Sequence, residues 1–374
     1  MYENVTNASN LTSANAKINT IFATMNHEHY MRLCLELALK GKGNVSPNPM
    51  VGCVIVHEDQ VIGEGYHQKF GQAHAEVNAI NDVLQKHGDQ AESLLANATA
   101  YVSLEPCAHF GKTPPCADLL VKHKLKKVVI GNTDPFDSVN GKGIEKLKNA
   151  GIETISGILD EECRAVNRRF FTRITQQRPY LILKWAQTAD GFFAPTDQSQ
   201  RWISGAEAKV LTHQWRSEED AILVGKNTVL ADNPQLNTRE ISGKNPIRIV
   251  IDKSLEIPSD FNVFNREAKT IVFNEVKTAV EGNIHFVQME DMHFYLPQKI
   301  AYQLYLMDIQ SVIIEGGANL LQQFIKDGLW DEARIFTANV NWESGIKAPQ
   351  VNGKIIEEIP AGNDKLQILR QNNL

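Results

Sequence analysis

His74 and Glu76 stand two residues apart, and Cys107 and Cys116 follow downstream, each directly after a proline. One imidazole and two thiols make a three-ligand set for zinc, with the fourth position left open for water. That open position distinguishes a catalytic zinc from a closed structural one. Water on such a metal falls from a pKa of about 15.7 to roughly 7, so a hydroxide nucleophile is available at neutral pH. Glu76 is not a ligand in this scheme and is placed to carry protons beside the metal. His74-x-Glu76 alone is a weak signal, because surface helices carry both residue types. Pro106-Cys107 and Pro115-Cys116 make the set specific. The chemistry that it suits is hydrolytic attack at an amino-bearing ring carbon.

Three ligands so far apart in sequence converge only if regular elements deliver them. The apolar spacing predicts a helix over 73–86 that carries His74 and Glu76 in its first turn. A strand over 100–104 delivers Glu105-Pro106-Cys107, and a helix over 116–123 opens at Cys116. Helix starts carry partial positive charge, which favours thiolate. A helix over 29–40, a hairpin of strands 51–56 and 61–65, a strand over 127–131 and a helix over 144–150 complete the pattern. It predicts a three-layer α/β domain with a mixed or mostly parallel sheet.

Eight residues separate the two cysteines, more than the P-C-x-x-C spacing usual for zinc deaminases. Both can still reach one ion across an inserted loop. His109, in that loop, is a competing ligand in principle and is assigned to a face toward substrate or solvent. Asn48 lies between Pro47 and Pro49. The pair of prolines makes a rigid turn, and such a turn also suits an amide that reads a base edge. Asn140-Gly141-Lys142-Gly143 could hold a phosphate through backbone N–H groups and Lys142, or be a simple turn.

A second α/β pattern begins after Arg178-Pro179. Strands are expected over 180–186, 221–225, 247–251, 270–274, 311–315 and 334–337, and helices over 206–216 and 318–326. Glu315-Gly316-Gly317 joins a buried strand to a helix, where glycines let the backbone approach a pyrophosphate. There is no G-x-G-x-x-G, so this is not the standard dinucleotide fingerprint. Lys184, Arg216 and Arg239 read either as surface charges or as partners for a charged substrate.

The 374 residues suffice for two or three domains, and 43% hydrophobic with 22% charged residues is a globular balance. The boundaries read as an extension over 1–24, a deaminase-type domain over 25–169, a link over 170–178 and a second domain over 179–374. Met1 to Thr24 lacks the marks of a secretory signal. Net charge of −6 argues against nucleic acid or an anionic membrane as partner. No apolar run approaches the roughly 20 residues of a spanning helix. Five cysteines are too sparse for a disulfide framework and point to the cytoplasm. Cys34, Cys53 and Cys163 are expected to be small buried hydrophobes.

These motifs together resemble the bifunctional riboflavin-biosynthesis deaminase–reductase family. The first half carries Ser46-Pro-Asn-Pro-x-Val-Gly52, Gly71-x-Ala-His-Ala-Glu76 and Glu105-Pro-Cys-x-His-x-Gly-x-Thr-Pro-Pro-Cys116. The second carries Lys184-x-Ala-x-Thr-x-Asp-Gly191, Trp202-Ile-Ser204, Asp220-Ala-Ile-Leu-Val-Gly225, Thr228-Val-Leu-Ala-Asp232 and Glu315-Gly-Gly317. The resemblance implies a cytidine-deaminase-like three-layer α/β/α domain followed by a dihydrofolate-reductase-like α/β domain. It implies zinc on His74, Cys107 and Cys116, Glu76 as proton carrier and Asn48 on the pyrimidine. It implies NADPH lined by Ala186, Trp202, Thr228, Asp232 and the run Gly317, Ala318, Asn319, Leu320, Leu321, Gln322 and Gln323. Lys184, Gln200, Arg216, Leu236, Arg239 and Glu315 would meet a pyrimidine ribose-phosphate. Asp232, Lys184 and Glu315 are the candidates for the acid of the reduction. Gln200 stands where the family commonly has Ser. A homo-oligomer is expected. The competing expectation is a single-activity nucleoside or base deaminase with an inactive reductase-like half.

Overall fold

The structure, a computed structural model, describes residues 26–109, 114–136, 139–196 and 203–372. It divides into two compact units, Met1–Thr175 and Gln176–Leu374. Among the described residues no helix is long and apolar enough to cross a membrane.

In the first unit, strand alternation sorts apolar side chains onto two faces of one sheet. The strands are β1 (Gly52–His57), β2 (Gln60–Tyr66), β3 (Thr99–Leu104), β4 (Lys127–Asn132) and β5 (Glu153–Ser156), in the order β2-β1-β3-β4-β5. β1 runs antiparallel to β2 and β3, whereas β3, β4 and β5 are parallel. Cys53, Ile55, Ala100, Val102, Val128 and Ile130 pack on one side with helices α2 (Ala75–His87), α3 (Ala91–Leu95), α4 (Cys116–Lys122) and α5 (Lys142–Asn149). Val54, Val56, Tyr101 and Val129 pack on the other with α1 (26–39) and α6 (Asp160–Val166). The three layers follow from that alternation.

The segment expected as a link is mostly helix α7 (Arg168–Gln176). Phe170 and Phe171 are buried there against Leu104. Phe170, Phe171 and Ile174 fall at helical spacing on one face, a signal that the expectation of a link passed over.

The second unit is built on β6 (Tyr180–Thr188), β7 (Phe192–Ala194), α8 (Ala206–Glu218), β8 (Ala221–Gly225), α9 (Lys226–Asp232), β9 (Ile247–Ile251) and β10 (Thr270–Asn274). It continues through β11 (Ala279–Glu281), β12 (Ile284–Gln288), α10 (Leu296–Leu306), β13 (Ser311–Ile314), α11 (Ala318–Lys326) and β14 (Glu332–Ala338). It closes with β15 (Ile346–Lys347), β16 (Lys354–Ala361) and β17 (Asp364–Arg370). Ten strands form one sheet in the order β11-β12-β10-β9-β8-β13-β6-β14-β17-β16, and β7 pairs with β15. From β12 to β14 the neighbours are parallel, and both edges are antiparallel. β13 inserts between β6 and β8, so strand order reverses there. In open parallel sheets ligands bind outside the carboxyl ends of strands at such a reversal. Lys184 lies on β6, and Glu315 and Gly316 directly follow β13.

Asp331 anchors the entry to β6. It is fully buried, accepts both Arg178 nitrogens at 2.6 and 2.7 Å, and takes the Leu181 amide at 2.7 Å. Removing one partner of a buried ion pair leaves the other charge uncompensated. Asp331→Ala is therefore expected to lower the stability of the second unit by about 3 kcal/mol. Chemical denaturation checks it, and an unchanged midpoint would show that the pair contributes nothing.

Candidate active site

Helix starts deliver the metal-ligating set. His74 is the N-cap residue of α2, extended at φ −73° and ψ 168°, and Glu76 sits in the first turn. His74 thus precedes the helix that was expected to contain it. Cys116 is the first residue of α4, behind Pro115, and Cys107 follows β3. The Cys116 amide donates to the Cys107 sulfur at 3.3 Å. His74 Nδ1 lies 3.3 Å from Cys116 Sγ and 3.7 Å from Cys107 Sγ. The three ligand atoms all lie within 4.8 Å of one another. Tetrahedral zinc with bonds of about 2.0 Å to nitrogen and 2.3 Å to sulfur requires ligand separations of about 3.5–3.8 Å. The donor set and its spacing fit that ion. His109 is exposed and outside the set, near the Phe136 ring at 6.4 Å between centroids.

The electrostatics are those of a metal site. The Cys116 thiol donating to Cys107, with His74 alongside, holds the Cys107 thiol well below its usual range. His74 is raised by its hydrogen bond to Cys107. Burial pushes the Glu76 carboxyl up to about 7, helped by the charge on Cys107. A bound cation would act in the opposite direction on Glu76. Burial thus brings the group into the range that suits a proton carrier.

A cavity of about 370 Å³ opens beside these groups, lined among others by Asn48, His74, Glu76, Cys107, His109 and Phe136. Asn48 is held by residues that sequence pattern did not single out. Its Nδ2 lies 3.1 Å from His67 Nε2, and His67 Nδ1 lies 3.0 Å from the Ala73 carbonyl. The carbonyl requires a proton on Nδ1, which makes Nε2 an acceptor and Nδ2 of Asn48 the donor. Asn48 Oδ1 stays free to accept from a ring. Asn167 accepts from the Met50 amide and donates to the Met50 carbonyl, both at 2.8 Å. That contact spans 117 residues and leaves no local signature.

The Gly-containing loop is already occupied by a protein anion. Glu105 takes the amides of Asp134, Gly141, Gly143 and Ile144 at 2.9–3.2 Å. Those N–H groups are thus not available to a phosphate.

In the second unit Lys184, Arg216, Glu315 and Arg239 come together. Arg216 grips Glu315 with Nη2 at 2.8 Å and Nε at 3.3 Å, and Lys184 Nζ lies 3.9 Å away. Arg216 Nη1 donates to the Asn237 carbonyl at 3.4 Å, and Arg239 Nη1 to Asn237 Oδ1 at 3.0 Å. Burial would raise the Glu315 carboxyl, but Arg216 and Lys184 overturn this and hold it at about 2. Burial lowers the Lys184 ammonium, against the pull of Glu315. Asp232 is exposed at the end of α9, outside this hydrogen-bonded cluster, with its carboxyl raised by partial burial.

The nucleotide-side residues are only partly brought together. Ala186 lies two residues beyond Lys184 on β6. Thr228 Oγ1 lies 3.6 Å from where a Cβ on Gly317 would sit, so α9 and the start of α11 are adjacent. A Cβ on Gly316 would meet the Leu320 side chain at 2.5 Å, so that turn packs closely on α11. The first amides of α11 lack intrahelical acceptors and suit an anionic group. Gly317, Ala318 and Asn319 are at that end, and Gln322 and Gln323 are exposed further along. Leu320 and Leu321 instead pack into the core, and the Leu236 side chain is buried among Ile222, Val229 and Val250. Those three side chains are committed to the core. Gln200 and Trp202 lie outside the described residues.

Fold and site together define a zinc-dependent hydrolytic deaminase joined to a nicotinamide-dependent reductase. Residues 24–132 match the model of the cytidine and deoxycytidylate deaminase zinc-binding region, and residues 179–340 match the RibD C-terminal domain. The riboflavin biosynthesis protein RibD of Aquifex aeolicus is 42% identical, over 88% of this chain and 92% of its own. That of Escherichia coli K12 is 33% identical over 84% and 88%. A crystal structure from Thermotoga maritima, described as a diaminohydroxyphosphoribosylaminopyrimidine deaminase/5-amino-6-(5-phosphoribosylamino)uracil reductase, superposes with a TM-score of 0.84 at 35% identity. It covers 93% of this chain and 99% of that one. The chain belongs to the RibD family of bifunctional riboflavin-biosynthesis enzymes.

His213 gives the second site a pH limit. It is almost fully buried and accepts the Arg239 amide on Nδ1 at 3.2 Å. Burial, then Arg216 and Arg239, lower it from 6.5 to about 4, against the weaker pull of Glu240 and Glu315. Between those values the unfolded chain binds a proton that the folded chain refuses, so stability falls as pH drops. The loss begins near pH 6.5 and levels off near 4. His213→Asn, which keeps an acceptor and cannot titrate, is expected to flatten this fall in the denaturation midpoint. Parallel pH curves for the two proteins would refute the assignment.

Proposed function

We propose that the chain deaminates 2,5-diamino-6-(5-phosphoribosylamino)pyrimidin-4(3H)-one in its first unit and reduces the product's ribosyl group with NADPH in its second. The observation that carries it is the convergence of His74, Cys107 and Cys116 beside buried Glu76, on a cavity that also presents Asn48. Zinc held by those three residues supplies the Lewis acidity that makes water a nucleophile near neutral pH. Glu76 takes a proton from the attacking water and delivers protons to the ring nitrogen and to the departing ammonia. Asn48, its amide fixed by His67, accepts from the ring and holds its amino-bearing carbon toward Glu76.

NADPH supplies the hydride of the second step. The sugar ring opens to a carbon–nitrogen double bond at C1. Reduction there adds a hydride to carbon and a proton to nitrogen, leaving a ribityl amine. Glu315, held at about 2, is ionised at neutral pH and is no proton donor. Lys184 carries the acidic proton of the cluster, and Glu315 orients it. Asp232 stands apart from them and suits the cofactor side. Arg239 supplies a guanidinium group for the substrate phosphate, while Arg216 is committed to Glu315 and the Asn237 carbonyl. The intact Lys184–Glu315–Arg216 cluster argues against an inactive second half. Net charge of −6 and five free cysteines support a cytoplasmic enzyme of small molecules without nucleic acid, and the reading includes a homo-oligomer.

The test is NADPH oxidation after the un-deaminated substrate is added to zinc-loaded protein. Oxidation is expected only after ammonia release, and its absence would sink the two-step assignment. Glu76→Gln is expected to keep zinc and to lose ammonia release by about 10²–10⁴-fold. Metal analysis accompanies the rate, and loss of zinc in this variant would count against the proton-carrier role. Lys184→Met is expected to stop NADPH oxidation on the deaminated substrate while ammonia release continues. Loss of both activities in a folded variant would contradict the division between units.

A further inference from the structure

Glu105 lies immediately before Pro106-Cys107, is 4% exposed, and has no role in the proton transfers above. Its carboxylate collects four backbone amides from a segment some thirty to forty residues downstream. Oε2 takes Asp134 N at 3.2 Å and Gly141 N at 2.9 Å. Oε1 takes Gly143 N at 2.9 Å and Ile144 N at 3.2 Å. A carboxylate has about four lone-pair sites, and here all four are used. Gly143 and Ile144 lie in the first turn of α5, so the anion also satisfies the start of that helix, which has no side-chain cap of its own. The Glu105 amide completes the join by donating to the Asn132 carbonyl at 2.9 Å.

Close packing enforces the same contact. A Cβ on Gly143 would fall 2.0 Å from the Pro106 carbonyl oxygen and 3.1 Å from Glu105 Oε1. Only glycine lets α5 approach the Glu-Pro-Cys unit this closely. The loop that Glu105 holds carries Asp134, Phe136 and Val139, which form one wall of the cavity. Asn48 and Cys107 line the same cavity, and Cys107 follows the same strand end as Glu105.

We propose that Glu105 is a positioning residue that sets the distance between the Cys107 strand end and the Asp134, Phe136 and Val139 lining, and so the width of the substrate cavity. The proposal rests on the deaminase reading of the first unit. A Gln side chain keeps the shape but not the chemistry. Whichever way its amide faces, its NH₂ meets two N–H donors.

The experiment uses full-length, zinc-loaded protein and the un-deaminated pyrimidine phosphoribosylamine. Glu105→Gln is expected to raise KM for ammonia release at least about tenfold, the equivalent of one or more charge-assisted hydrogen bonds. Zinc content, kcat within about threefold and NADPH oxidation on the deaminated substrate should be retained. Amide exchange should accelerate at residues 134, 141, 143 and 144. Gly143→Ala reads the brace from its other side and should raise KM similarly, with the double variant well short of additive. An unchanged KM in both variants, or loss of zinc and kcat with KM unchanged, would overturn the proposal. If wild-type protein releases no ammonia, the deaminase reading fails instead. Amide exchange then decides the brace alone, and unchanged exchange in Glu105→Gln would reject it.

Discussion

Placing two sulfurs and an imidazole within bonding distance of one ion requires something to stabilise negative charge before the ion arrives. Here helix starts meet that requirement. The Cys116 amide at the head of α4 donates to the Cys107 sulfur, and His74 caps α2 opposite them. Both helices pack on one face of the five-stranded sheet through Ala75, Ala79, Ala117 and Leu120. Small residues at those contacts bring the helix starts close. The ligand geometry is thus a consequence of core packing, and Glu76 inherits its burial from the same turn that positions His74.

Internal anions organise both units. Glu105 occupies the amides of a glycine loop that resembles a phosphate cradle in sequence. Asp331 closes on Arg178 at the entry of the second unit. Glu315 is held ionised by Arg216 and Lys184. Glu105 and Asp331 are buried and Glu315 nearly so, and each is matched by enough donors to offset desolvation. Such sites tolerate little substitution, because removing one partner exposes the full cost of the other. They also separate roles among chemically similar residues: Glu76, raised by burial, can exchange protons near neutrality, while Glu315 cannot.

Much of the architecture was legible because periodicity is a local property. Strands 221–225, 247–251 and 270–274 were expected with the bounds found, and the metal-ligating set was visible from residue types and order. Helix α7 was legible too, since Phe170, Phe171 and Ile174 share a helical face, but so short a run among Arg, Thr and Gln also reads as a link until Leu104 packs on it. The Gly-containing loop left phosphate and turn readings open. Its amides alone could not reveal that Glu105 would reach them. Leu236 illustrates the converse: a side chain named for a ligand is committed to the core beside Val229 and Val250.

The chain order of His, Glu and two cysteines determined the zinc chemistry, because few other donor sets serve a metal with an open position. The alternating apolar pattern determined two α/β layers for the same local reason. Tertiary structure alone decided which groups share a site. It placed Lys184 and Glu315 together and left Asp232 at the exposed end of α9. It set the Asn48 amide through His67 and gave Glu105 to a loop far along the chain. Those choices depend on distances across the fold and on the burial they impose, neither of which is written in the spacing of residues along a chain.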